Sequence, residues 1–192
     1  MLPRLSDWLR RPPSGYRPGV TLEQARRNLG GLAFEALEPG AGRFSTVDGG
    51  LVFELRERPQ AQFLMHLVLT EFVVEGPAAY SGEARFELRH QGVLRRQGVE
   101  CRQRAGDPAL GARLAERLAA DEHLQRALPP LDFKRLELEF GAGRWRIRLE
   151  HMAASEVVNR LPSFRRYLRL EREQRDHLLR ALFHLGRLLG EL

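Results

Sequence analysis

Cysteine is almost missing from this chain. Cys101 is the only one, so no intramolecular disulfide can form, and a reducing compartment fits. Lysine is equally scarce: Lys134 is the single lysine among 31 lysine and arginine residues. So uniform an arginine bias matches the codon usage of a GC-rich, bacterial-like genome better than selection at one site. Long apolar runs are also lacking. The longest, Phe63–Val74, is interrupted by His66 and Glu71 and is too short to cross a bilayer. The N-terminal stretch is broken by Pro3, Arg4, Asp7, Arg10 and Arg11 and has no continuous apolar segment of the signal-peptide kind. The expectation is a cytoplasmic protein that is not transmembrane.

Motifs of catalysis are absent too. There is no Gly-x-Ser-x-Gly, no His-Glu-x-x-His and no cysteine pair. His177 and His184 are seven apart, whereas metal-binding pairs on a helix prefer three or four. Gly40-Ala41-Gly42 and Gly141-Ala142-Gly143 lack the dinucleotide-binding pattern and precede strands, so they read as hairpin turns. The sequence leans away from an enzyme and implies no cofactor and no metal. An enzyme would need a site assembled in the fold around His66, Glu71 or His151, with Cys101 as a further candidate. His66 and Glu71 fall on opposite faces of one strand and cannot act together.

What is present is an ordinary globular composition. Of 192 residues, 43% are hydrophobic and 29% charged, and a chain of this size buries roughly 70% of its unfolded surface. Residues 1–19 read as an N-terminal leader, with Leu2, Leu5, Trp8 and Leu9 on one helical face. Residues 20–192 read as a single α+β domain. Its class is a mainly antiparallel sheet of about eight strands, two or three helices packed on one face, and a long C-terminal helix.

The pattern supplies detail. Thr21 and Gln24 form a candidate capping box for a first helix that Gly30-Gly31 ends. Asp48-Gly49 marks a hairpin whose register sets Phe44 against Phe53 and Arg43 against Glu54. Phe63–Val74 reads as a central strand, Tyr80–His90 as half-buried, and Val93–Gln103 as an edge. Asp107-Pro108 opens a helix that carries a break before Leu124 and stops at Pro129-Pro130. Leu131–Phe140 and Arg144–Met152 form a hairpin about Gly141-Ala142, with Glu139 facing Arg144 and Glu137 facing Arg146. That pairing neutralises the stripe Arg144, Arg146 and Arg148, puts Trp145 in the core and disfavours nucleic acid as a partner. A helix over 163–190 closes the chain, bent or projecting near Glu171–His177.

The net charge is +6, concentrated in residues 1–27, 89–104 and 160–180. The last segment carries the candidate binding residues Arg165, Arg166, Arg169 and Arg172. Such a cluster attracts phosphate, an anionic ligand or lipid, or an acidic partner. Behind it Leu178, Leu182, Phe183, Leu185 and Leu189 form a wide apolar face. It could serve the domain's own core, a homodimer or protein partner, or a membrane surface. The leading expectation is a non-enzymatic binding or protein-interaction domain with a basic C-terminal helix. The alternatives are a hydrophobic-ligand or lipid-binding, peripheral membrane protein, and an enzyme.

Overall fold

The computed structural model describes residues 16–61, 65–91, 98–160 and 163–192. The sequence readings for residues 1–15 of the N-terminal leader, Phe63, Leu64 and the start of the expected edge strand lie outside them. The chain runs α1 (Val20–Asn28), β1 (Ala33–Glu38), β2 (Ala41–Ser45), β3 (Val52–Ala61), β4 (Met65–Pro77), β5 (Ala84–Gln91) and β6 (Gly98–Ala105). It continues through α2 (Pro108–Ala120), α3 (Glu122–Ala127), β7 (Phe133–Gly141), β8 (Arg144–Arg160), β9 (Ser163–Tyr167) and α4 (Arg172–Gly190). The strands form one nine-stranded antiparallel sheet in the order β1-β2-β3-β4-β8-β7-β5-β6, with β9 paired to β8. The fold is α+β, with a long C-terminal helix, and β4 and β6 take the central and edge places the sequence implies.

Strict alternation divides the sheet into two unlike faces. On the inner face one row crosses five strands through Leu55, Phe72, Leu149, Leu136 and Leu88, none more than 2% exposed. Leu22 and Ala25 of α1, Leu29 just after it, Leu110 and Leu114 of α2, and Leu178, Leu182 and Leu185 of α4 join the same core. Each buried leucine or phenylalanine contributes about 1.5–3 kcal/mol through burial. The neighbouring row on the outer face reads Glu54, Val73, Arg148, Glu137, Glu87 and Arg102. Acids and arginines dominate there, with Glu137 set between Arg148 and Glu87, and Lys134 Nζ donates to Gln60 Oε1 at 2.8 Å across the two strands between them.

The β2–β3 hairpin has the expected register, with Phe44 opposite Phe53 and Arg43 opposite Glu54. Its loop is longer than two residues, and Thr46 Oγ1 closes it by accepting from Leu51 N at 3.0 Å. The β7–β8 register differs from expectation by two residues. Phe140 faces Trp145, Glu139 faces Arg146 and Glu137 faces Arg148. The turn sits at Ala142-Gly143, both with positive φ (51° and 68°), as a two-residue turn of this hand requires. A shift of two keeps every side chain on its face, so Trp145 is still in the core.

The capping box at Thr21 does not form. Gly19, at φ 89°, is the N-cap of α1 and supplies no side chain. A carboxylate from β3 replaces it. Glu57 Oε1 accepts Leu22 N–H at 2.7 Å, and Oε2 accepts Gly19 N–H at 3.0 Å and the Tyr16 hydroxyl at 2.6 Å. Burial, and then Glu57, raises the Tyr16 phenol well above its ordinary range. Thr21 instead donates to Glu156 Oε2 at 3.3 Å. At the other end of α1, Asn28 Oδ1 accepts from Tyr167 Oη at 3.0 Å and Leu170 N at 3.1 Å.

Strand β8 is longer than the expected Arg144–Met152. It runs 17 residues, pairs with β4 throughout, and is interrupted once, where Leu69 alone opposes residues 152–155. Ala154 takes φ 66° there. Ser155 Oγ donates to His151 O at 2.7 Å and accepts Thr70 N–H at 3.1 Å, so both backbone groups are satisfied inside the bulge. β7 leaves β8 at Phe133, opposite His151. The edge so vacated is filled by β9 from Glu156 onward. The expected helix over 163–190 is therefore corrected: residues 163–167 are a strand, and α4 begins at Arg172.

Candidate functional site

The outer face is rich in arginine, and nearly all of it is matched. Among strand arginines whose side chains are described, Arg43, Arg56, Arg58, Arg85, Arg89, Arg102, Arg104, Arg135, Arg144, Arg146, Arg148 and Arg165 each pair with a glutamate. Glu54 is held below the usual carboxylate range by its hydrogen bond from Arg56, and Glu87 by those from Arg89 and Arg104. Paired ladders of this kind stabilise a sheet and present little free charge.

Arg166 breaks the rule. It lies on β9 opposite Val157, is exposed, and has no carboxylate partner among the described residues. Arg169, in the link to α4, and Arg172, the first residue of α4, are exposed and likewise unpartnered. Arg172 and Arg175 sit in the first turn of α4, where the helix dipole repels cations. Helix stability does not explain them. A groove of about 400 Å³ at the start of α4 is lined by Arg172, Glu173, Asp176, His177 and Arg180.

Of the four arginines singled out in the sequence, Arg165 stands apart. Strand alternation turns it inward, where Nε meets Glu156 Oε1 at 3.2 Å. Glu156 thereby ties β9 to Thr21 of α1, and Arg165 serves the fold. The apolar residues behind the cluster also divide. Leu178, Leu182, Leu185 and Leu189 are fully buried in the core, and only Phe183 is exposed. The surface that α4 offers a partner is thus small.

Strand register kept hidden a further pair. Met65 and Phe164 are 37% and 45% exposed and flank Asn159 in one row of the outer face. The next row carries Gln60, Leu67, Val157 and Arg166. The period-two alternation of Phe164 and Arg166 against Arg165 and Tyr167 was the available signal, masked by helix-like spacing of Phe164, Tyr167 and Leu168.

The residues considered for catalysis are dispersed. His66 faces Val158 on the inner side, His151 faces Thr70, and Glu71 faces Glu150 on the outer side. Cys101 is on β6 opposite Leu88. It borders a groove of about 340 Å³ with Val99, Leu118 and Leu128, and burial pushes its thiol up to about 11. Between α3 and α4 the His123 and His184 rings stack at 4.3 Å, and His184 Nδ1 lies 3.8 Å from Asp121 Oδ2. Among the described residues no group of three or more His, Cys, Asp or Glu is arranged to hold a metal, and no helix is long and apolar enough to cross a membrane.

Comparison with curated proteins and with solved structures finds no match. A family model described as "Protein of unknown function (DUF3156)" matches residues 27–189, from the last turn of α1 almost to the end of α4. The chain belongs to that family.

Proposed function

We propose that this protein is a non-enzymatic binding domain that docks on an anionic partner through Arg166, Arg169 and Arg172. One observation carries the reading: these exposed cations have no acidic partner among the described residues, while the arginines of the sheet are matched one after another. Unmatched guanidinium groups retain their full capacity for bidentate contact with phosphate or carboxylate. The separation of His66, Glu71, His151 and Cys101 supports a binding role over an assembled catalytic site. A single cysteine fits a reducing compartment and supports a cytoplasmic setting for this role.

The test is retention on immobilised heparin, a generic polyanion, across a salt gradient. R166Q/R169Q/R172Q should elute at clearly lower salt than wild type. R43Q/R85Q/R102Q removes the same formal charge from paired positions and should shift elution far less. Equal shifts, or no retention of the wild type at low salt, would refute the reading.

A further inference from the structure

We infer that the anionic partner is a lipid surface, and that Met65 and Phe164 enter it while Arg166, Arg169 and Arg172 hold its headgroups. The inference rests on the binding reading above and adds the chemical class of the partner.

The open end of the sheet combines two features that seldom meet. Strand spacing places Met65 and Phe164 about 10 Å apart across β8, both half-exposed and both on the outer face. One row further along, on that same face, Arg166 projects beside the half-buried Leu67 and Val157. Single exposed apolar side chains are ordinary. Two in one row, bordered by an unmatched arginine and followed in sequence by two more, make an amphiphilic edge.

Size decides between partners. A stable protein interface takes about 800 Å² from each side and a fully desolvated centre. Two half-exposed side chains fall far short of that. A membrane interface asks for less, because a few apolar side chains dip into the acyl boundary while each nearby arginine adds attraction to anionic headgroups. Sequence-tolerant binding of single-stranded nucleic acid uses a row of aromatic platforms. Phe164 is the one aromatic in these two rows, and Met65 cannot stack in that way.

Vesicle sedimentation of the full chain tests this, with phosphatidylcholine vesicles, equimolar phosphatidylcholine and phosphatidylglycerol vesicles, and single-stranded RNA as the competing polyanion. The wild type should pellet with the mixed vesicles and not with phosphatidylcholine alone. M65S/F164S should lose about tenfold in partitioning with its heparin elution unchanged. Each arginine neutralised should lower partitioning about fivefold. F164W should be quenched by brominated lipid beyond the wild-type tryptophan background, a readout that does not depend on the double variant folding. Vesicle binding indifferent to M65S/F164S, with no added quenching of F164W, would overturn the lipid inference and leave the arginine surface standing. Retention of RNA without vesicle binding would do the same and name nucleic acid as the partner. Failure to bind vesicles, RNA and heparin alike would overturn both.

Discussion

Removal of the Glu57 carboxylate should loosen α1 more than its position in a strand implies. Its two oxygens accept from Leu22 N at 2.7 Å, Gly19 N at 3.0 Å and Tyr16 Oη at 2.6 Å, in a site only 7% exposed. Two of the four orphan donors of a helix N-terminus are a capping residue's usual responsibility, and losing a cap costs about 1 kcal/mol. Hydrogen bonds to a charged acceptor are worth about 1.5–3 kcal/mol each when partners are left unsatisfied. Water entering the vacated space recovers part of that. Glu57→Ala should therefore destabilise by about 3 kcal/mol, a fall in Tm of about 6–12 °C for a domain this long. Glu57→Gln keeps an acceptor but sets an amide donor against other donors, so it should fall between. Tyr16→Phe removes one bond and should cost about 1 kcal/mol. Thermal denaturation gives the global figure, and hydrogen exchange at the Leu22 amide gives the local one. An unchanged Tm in Glu57→Ala, with Leu22 still protected, would show that α1 needs no cap from the sheet.

The bulge in β8 gives two opposed expectations. Ser155→Ala strips partners from the buried Thr70 N–H and His151 carbonyl and should destabilise by about 2–3 kcal/mol in urea denaturation. Ala154→Gly relieves the φ of 66° and should stabilise by up to about 1 kcal/mol. The reverse order would mean that the bulge is not held as described. Cys101 gives a pH dependence. Burial first, and then the nearby Glu100 charge, raises its thiol from about 9 to about 11. At pH 8 its thiolate should be about 100-fold rarer than that of an ordinary thiol, and alkylation by iodoacetamide correspondingly slow. Because the folded state holds the proton more tightly, this group's contribution is fully present below pH 9 and is lost as pH rises towards 11. Fast labelling at pH 8 under native conditions would contradict that.

Local chemistry explains which parts of the fold the sequence made legible. Asp107 caps α2 by accepting from Ala109 N at 2.9 Å, as its place before Pro108 implies. The break before Leu124 is real, because Asp121 accepts from His123 and Leu124 and starts α3. Alternation in β2 and β3 was enough to set Phe44 against Phe53. What escaped depends on partners distant in sequence. Glu57 lies 35 residues from the Leu22 amide it caps, and no window of sequence relates the two. β9 exists because β7 departs and leaves an edge to fill, a fact of topology that five residues do not carry. The arginine cluster was visible as composition. Which members were free was not, since Arg165 and Arg166 differ only in the strand face they take.

The pairing of Pro77 with Arg144 has a consequence for how the chain assembles. Residues 78–143 depart from one strand and return to its immediate neighbour, so β5, β6, α2, α3 and β7 constitute an excursion whose two ends meet. β4 and β8 can zip together only after that loop closes, and the entropy lost on closure grows only slowly, as the logarithm of length. The excursion can therefore lengthen or shorten at modest expense to the β3-β4-β8-β9 end, where the free arginines lie. That end is also the last to benefit, because its own register follows the bulge at Ser155. Denaturation that begins there would leave the rest of the sheet intact, and the β8–β9 edge would be the first part of the molecule to breathe.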